Sequence, residues 1–452
     1  MENKSSISNR QKIIEKCIDS SYETRKKISL SVSGWKNRFF NIKDSMKYNL
    51  VNLNTKFIPD STSIHLLNQI FNPNEPSGLK IFKETLDKLL LITYRSNYKQ
   101  QKNIKNDSIY TSDCGWGCMI RSSQMIFSRM IYLIFEYIYN KEPSEKLVKA
   151  IIPFFMDDNI SMSEINIKSS DFTMIGMDSY ISQLQKFLEQ KNTENQNKKL
   201  EIKSFDPPFS IQKICTIGEI FGRTCGEWFS DYELPKIYEI INTTFNIIPN
   251  ISILHFNSDI DMQTILESCF EKIEKNKISN EDKQKYFTNE LDESFCFKKM
   301  GAIFVSLRLG VTSISEDYFP AIKKLFECKQ ILGFIGGKFH FASYFFGFCG
   351  DDLLYLDPHY NQDSCNNLDN KTFMTYINKT VYKFPIKSLQ SAFTVGFLFR
   401  DLIEFRNLYV FFKSYILEEK LPCFHVNFVP YKEDSNLTEK EIENMINDQD
   451  DF

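Results

Sequence analysis

From Met119 to Ile138 the chain is mostly apolar, too long a run for a strand. It predicts a buried helix, and the glycines of Gly115-Trp116-Gly117 break the chain just before it, so the helix begins near Cys118. Ile331–Ile335, Ala342–Phe348 and Ala392–Phe399 are strand-sized apolar runs. Asp352–Leu356 reads as another strand, leading directly into Asp357-Pro358-His359. Helical and strand-like patterns alternate through the middle of the chain, which predicts a mixed α/β domain, and no internal repeat is present. Two polar stretches, Gln190–Lys203 and Glu271–Ser294, lack any apolar period that demands burial and read as loop insertions.

The ends differ in charge. Residues 1–50 hold eleven Lys/Arg against five Asp/Glu, interleaved with Trp35, Phe39 and Phe40, whereas residues 431–452 hold eight acids and two lysines. Terminal charge runs of this kind are solvated tails as a rule, and a basic, aromatic segment also suits an anionic lipid surface. Over the whole chain, 55 basic and 58 acidic residues give a net charge of −3, without the basic excess of a nucleic-acid-binding protein. At 42% hydrophobic in 452 residues, the chain buries a core without disulfides or structural metal. Eleven cysteines are too dilute for a disulfide scaffold and lack zinc-ligand spacing, so free thiols in a reducing compartment are expected. No window has the apolar length of a membrane span and the first thirty residues hold no secretory signal, so the expected location is cytoplasmic.

Chemistry concentrates at two places. A cysteine in the first turn of a helix lies at the positive end of the helix dipole, which favours thiolate, and Cys118 is so placed. Gly115 and Gly117 allow a sharp turn and leave room for a substrate chain. Five histidines are available, and His359 alone has a carboxylate two residues away: in an extended segment, Asp357 and His359 project to the same side. A carboxylate that orients an imidazole beside a cysteine is what nucleophilic thiol catalysis requires.

The stretch Thr111-Ser-Asp-Cys-Gly-Trp-Gly-Cys-Met-Ile-Arg-Ser-Ser-Gln-Met125 resembles the active-site signature of the autophagins, the cysteine proteases that process the ubiquitin-like modifier of autophagy. Thr93-Tyr94-Arg95, Pro208-Phe209-Ser210-Ile211, Gly226-Glu227-Trp228-Phe229, Leu307-Arg308-Leu309-Gly310 and Gly333 through His359 follow in the family's order. The resemblance spans roughly residues 65–430. It implies an α+β, papain-like cysteine protease fold with a small additional subdomain, here residues 61–430 between a basic extension (1–60) and an acidic tail (431–452). It implies that Cys118 attacks a glycine carbonyl near the modifier's C-terminus, that His359 exchanges the proton and that Asp357 orients it. Tyr94 matches a tyrosine that helps form the oxyanion hole. Trp228, with the loop after Gly336-Gly337 that begins at Lys338, matches a roof over a narrow glycine tunnel. The reactions implied are precursor maturation and hydrolysis of the modifier's amide link to phosphatidylethanolamine. From the residues themselves, no cofactor or metal is expected, a monomer is expected because nothing demands an obligate interface, and the basic N-terminal segment allows peripheral contact with membrane.

Some positions depart from that pattern. Lys338-Phe339-His340-Phe341 stands where the family more often has a proline and small polar residues, so a bulkier lid is expected, with His340 in it. Cys114 is an unusual neighbour for the nucleophile, close enough in sequence to suggest a reversible disulfide with Cys118. The terminal Asp450-Asp451-Phe452 lacks the hydrophobic partner of the family's acidic docking motifs. Two alternatives are a protease for the ubiquitin-fold modifier, which shares Gly-Trp-Gly-Cys and Asp-Pro-His, and a non-catalytic scaffold that holds the modifier.

Overall fold

The computed structural model describes residues 56–161, 204–274, 285–288 and 293–428, apart from positions 58, 60, 61, 312, 339, 340, 368 and 378. Residues 1–55, the polar stretch 190–203, His340 and the acidic tail 431–452 lie outside the described residues. Seven strands form the spine of a nine-stranded sheet: β1 (Ile251–Asn257), β2 (Met300–Arg308), β3 (Ile331–Lys338), β4 (Phe341–Cys349), β5 (Asp352–Leu356), β6 (Tyr382–Pro385) and β7 (Ala392–Phe399). Their spatial order is β6-β5-β4-β3-β7-β2-β1, and two short strands, Ile64–Leu66 and Gln69–Phe71, extend from β4. Every pair along the spine is antiparallel except β2 with β1. The β3, β4, β5 and β7 runs read from the apolar pattern are all present, and β3 continues three residues beyond Ile335.

The expected helix is α1, Cys118–Ile138, and it starts at Cys118. It lies on β3 and β4, and its first half is buried on every side. Phe127 ties it to its surroundings: its ring stacks on Tyr238 of helix α2 (Glu233–Phe245) at 3.5 Å and on Phe304 of β2 at 4.9 Å. Burial of one such ring contributes on the order of 1.5–3 kcal/mol, which fastens the helix that carries Cys118 to the sheet. Among the described residues, no helix is long and apolar enough to cross a membrane.

The stretch 271–294 is a loop only in part. Phe270–Ile273, Tyr286–Thr288 and Ser294–Phe297 form a three-stranded sheet of their own, apart from the central one. Phe287 is buried against Phe405 (4.9 Å) and Tyr409 (5.0 Å) of helix α3, Leu402–Glu418. The strands are three to four residues long, too short for an apolar period to emerge from the polar background.

Candidate active site

The turn before α1 is built around Asp113. Its carbonyl accepts the N–H groups of Trp116 (3.2 Å) and Gly117 (2.8 Å). Its carboxylate accepts the Arg95 N–H at 2.7 Å and two bonds from Arg121, Nε at 2.7 Å and NH2 at 3.1 Å. Arg121 also forks onto Asp157 at 3.0 and 2.9 Å and reaches Gln124 at 3.1 Å, all without solvent contact. Gly115 adopts φ +87°, open to glycine at little cost. Gly117 is needed for a different reason from the one read in the sequence. A Cβ there would lie 2.5 Å from Asp113 Oδ2, so the absent side chain makes room for this carboxylate. Cys118 follows, fully buried, with its neighbours held on both sides.

The other half comes from the far end of the chain. The Tyr94 N–H donates to Pro358 O (2.8 Å), and Tyr94 O accepts from the Gln362 N–H (3.0 Å). Gln362 Nε2 also donates to Thr93 Oγ1 at 2.9 Å. These bonds stitch Asp357-Pro358-His359 to the segment that carries Tyr94. His359 Nδ1 lies 2.7 Å from Asp357 Oδ1, which also accepts the His359 backbone N–H at 3.0 Å. Both side chains are nearly inaccessible, at 10% and 2% exposure.

Electrostatics bind the halves together. Burial pushes the Cys118 thiol up, but a hydrogen bond and charge from His359, the Ala342 backbone N–H and the Tyr94 hydroxyl together hold it below its ordinary value. Burial pulls the His359 imidazole down, while the Asp357 charge and hydrogen bond, with Cys118, raise it to about 10. A thiol held low beside an imidazole held high favours the thiolate–imidazolium pair, the arrangement that nucleophilic thiol chemistry uses. Burial, reinforced by the Cys118 and Asp113 charges, raises the Tyr94 phenol well above its usual range. Tyr94 is therefore a neutral O–H donor beside the sulfur.

Trp228 packs against the small cluster of Tyr94, Cys118 and Ala342, so it borders the site that holds the thiol. Its loop is pinned on both sides: Glu227 accepts from Lys105 Nζ (2.8 Å), and Thr394 Oγ1 donates to the Asp231 carboxylate (3.0 Å). Gly336, Gly337 and Lys338 are strand residues, paired with Ser343, Ala342 and Phe341. The connection after Lys338 is therefore only two residues, 339 and 340, in place of the longer loop expected after Gly337. Gly337 has φ +148°, and a Cβ there would collide with the Phe341 carbonyl oxygen, so glycine here serves a tight hairpin. Lys338 points its ammonium over Phe384, 5.0 Å from the ring centre. Cys114 and Cys118 are separate thiols.

Sequence reading missed two groups. The Asp113–Arg121–Asp157 cluster was legible in principle, since a charge inside an apolar helical run needs a buried partner. Phe341, assigned to a lid, instead lays its ring flat on the His359 imidazole, with centres 4.5 Å apart and planes 7° apart. Among the described residues, no group of three or more His, Cys, Asp or Glu side chains is placed to hold a metal ion.

Comparison with known proteins points the same way as this geometry. Residues 79–410 match the peptidase C54 catalytic domain. Cysteine protease ATG4B of Xenopus laevis is 25% identical over 348 residues, 75% of this chain and 76% of the relative. Cysteine protease ATG4B of Gallus gallus is 25% identical over 303 residues, covering 64% and 65% of the two chains. For cysteine protease ATG4A of Homo sapiens the figures are 25% over 334 residues, 70% and 71%. The family match runs unbroken through every segment that meets at the thiol, and with most of the chain inside it, this protein belongs to the autophagins, the cysteine proteases of peptidase family C54.

Proposed function

We propose that this chain cuts after the C-terminal glycine of a ubiquitin-like autophagy modifier, both to mature its precursor and to free it from phosphatidylethanolamine. Cys118 is the nucleophile. Its thiolate attacks the glycine carbonyl carbon, and the developing oxyanion is held by the Cys118 N–H and the Tyr94 hydroxyl, donors of the right kind for a tetrahedral intermediate. His359, oriented by Asp357, gives its proton to the departing nitrogen, which belongs to a peptide bond in the precursor or to ethanolamine in the lipid conjugate. Water, deprotonated by the now neutral His359, then hydrolyses the thioester and restores the pair. Trp228, together with Gly336, Gly337 and Lys338, roofs the cleavage site closely enough to admit glycine and exclude side chains. The enzyme works as a cytosolic monomer that meets its lipid-linked substrate at the membrane surface.

The observation that carries this reading is the meeting of Cys118, His359 and Asp357 in one buried cluster, with His359 Nδ1 2.7 Å from Asp357. The substrate class rests on the relatives, among them cysteine proteases ATG4B of Xenopus laevis and Gallus gallus and ATG4A of Homo sapiens. The test uses purified protein and its Cys118→Ala variant on the autophagy modifier with a C-terminal reporter, and on the lipid-linked modifier in vesicles. The ubiquitin-fold modifier runs in parallel. Cleavage after glycine that vanishes in C118A is expected. Cleavage of the ubiquitin-fold modifier alone would reassign the enzyme, and tight binding of the autophagy modifier without cleavage would make it a scaffold.

A further inference from the structure

Phe341 opens β4, paired with Lys338 across the two-residue connection. Its ring is fixed from behind by Tyr355 at 5.9 Å and Phe384 at 6.4 Å, which belong to β5 and β6. Its front face covers the His359 imidazole at 4.5 Å in near-parallel stacking. Tyr94 meets the same imidazole edge-on, with centres 5.4 Å apart and planes at 87°. The imidazole is thus held by a carboxylate in its plane, a phenol ring at its side and a benzene ring on its face. The next residue, Ala342, supplies the backbone N–H that bonds the Cys118 sulfur. One dipeptide therefore serves both members of the pair.

We propose that Phe341 is a positioning residue for His359: its stacked ring fixes the imidazole plane against Cys118 and favours the imidazolium over the neutral ring. The proposal rests on the assignment of Cys118 and His359 as the reacting pair. Its physical basis is that the face of an aromatic ring attracts a cation and that a flat neighbour admits one imidazole orientation. Among the described residues, the other ionisable groups that act on His359 include Asp357 in its own turn, Cys118 at the start of α1 and Tyr94 before the strand Arg95–Lys102, with Asp113 behind Tyr94. None of these residues is altered by substitution of Phe341, and the return of the ring in Phe341→Tyr separates its effect from theirs.

The readout needs no protein substrate. Alkylation of Cys118 by iodoacetamide is followed against pH, with the site resolved from Cys114 by fragment mass spectrometry. Phe341→Leu keeps the bulk and removes the ring, and Phe341→Tyr restores it. In F341L the midpoint for thiolate formation should rise by roughly half a pH unit to one, making alkylation on the acid limb about 3–10-fold slower, while F341Y stays within about twofold of wild type. On the reporter-tagged modifier, F341L should lower kcat by a similar factor and leave KM unchanged. A wild-type measurement covers the case in which F341L does not fold. At pH 5 the His359 ring protons, assigned by their loss in His359→Gln, should resonate upfield of those of the exposed His425 through the ring current of Phe341; His65, itself stacked on Phe348 at 4.3 Å, is set aside from the comparison. An F341L profile equal to wild type, an F341Y profile equal to F341L, or unshifted His359 protons would each overturn the proposal. Absence of cleavage in wild type, with the alkylation profile still moving in F341L, would overturn the functional assignment and leave the stacking role intact.

Discussion

Arg121→Met removes the one cation between two buried carboxylates. The guanidinium makes five hydrogen bonds to Asp113, Asp157 and Gln124, and the ion-paired side chains have at most 1% exposure. Methionine fills most of the volume, so lost packing is minor. What remains is an uncompensated buried charge, for which a loss of about 3–5 kcal/mol is expected. Asp113 and Asp157 keep backbone donors, Arg95 N–H at 2.7 Å and Ile211 N–H at 3.3 Å, which hold the loss within that range. Against a total stability of about 5–15 kcal/mol the variant is weakened but folded over much of the range. Urea unfolding followed by tryptophan fluorescence should show a midpoint lower by roughly 1–2 M, for a slope of about 3 kcal/mol/M. The deficit also depends on pH. Burial raises the Asp113 carboxyl above its ordinary value even with Arg121 opposing it, so the folded state binds a proton more readily than the unfolded chain. The penalty for its charge is complete above the folded value and is relieved as pH falls through it. Without Arg121 that value climbs further, so the gap between R121M and wild type should narrow from pH 8 to pH 5. A deficit below about 1 kcal/mol, or one independent of pH, would refute the reasoning.

Asp357→Asn removes the charge that raises His359 to about 10, so imidazolium is lost at lower pH than in wild type; kcat should fall by about 10²–10⁴-fold and Cys118 alkylation at pH 7 should slow in step. Gly117→Ala places a Cβ 2.5 Å from Asp113 Oδ2 and should lower stability by about 1–3 kcal/mol in urea unfolding while blunting Cys118 alkylation at every pH. Phe287→Ala, in a stretch that reads as polar loop, should destabilise by about 3–5 kcal/mol because its ring is buried against Phe405 and Tyr409; a loss under 1 kcal/mol would argue against the small sheet.

What the sequence made legible follows from periodicity and spacing. The α1 start at Cys118 was readable because a glycine-broken turn precedes a long apolar run. Asp357 and His359 were readable because the i, i+2 relation survives in any extended segment. The rest depended on contacts between distant segments. Arg121 within an apolar run announces a need for a buried partner, but that Asp157 supplies it follows only from the burial of α1 against a distant segment. Phe341 looked like part of a lid because the hairpin that seats it on His359 is defined by pairing across Lys338, which no local pattern encodes. Phe287 was hidden by strands too short to carry a period.

The bonds between the Thr93–Arg95 segment and the Pro358–Gln362 segment have a consequence for timing. Gln362 and Thr93 are 269 positions apart, so the cleft closes only when the last quarter of the chain has been made. At a synthesis rate of about 5–20 residues per second, a ribosome needs on the order of 10–50 s after Cys118 to deliver His359. Throughout that interval Cys118 lacks the His359 hydrogen bond and charge that hold its thiol down in the finished fold. The pairing of thiol with imidazole, and any reactivity that depends on it, therefore arrives in one step, together with the completed fold.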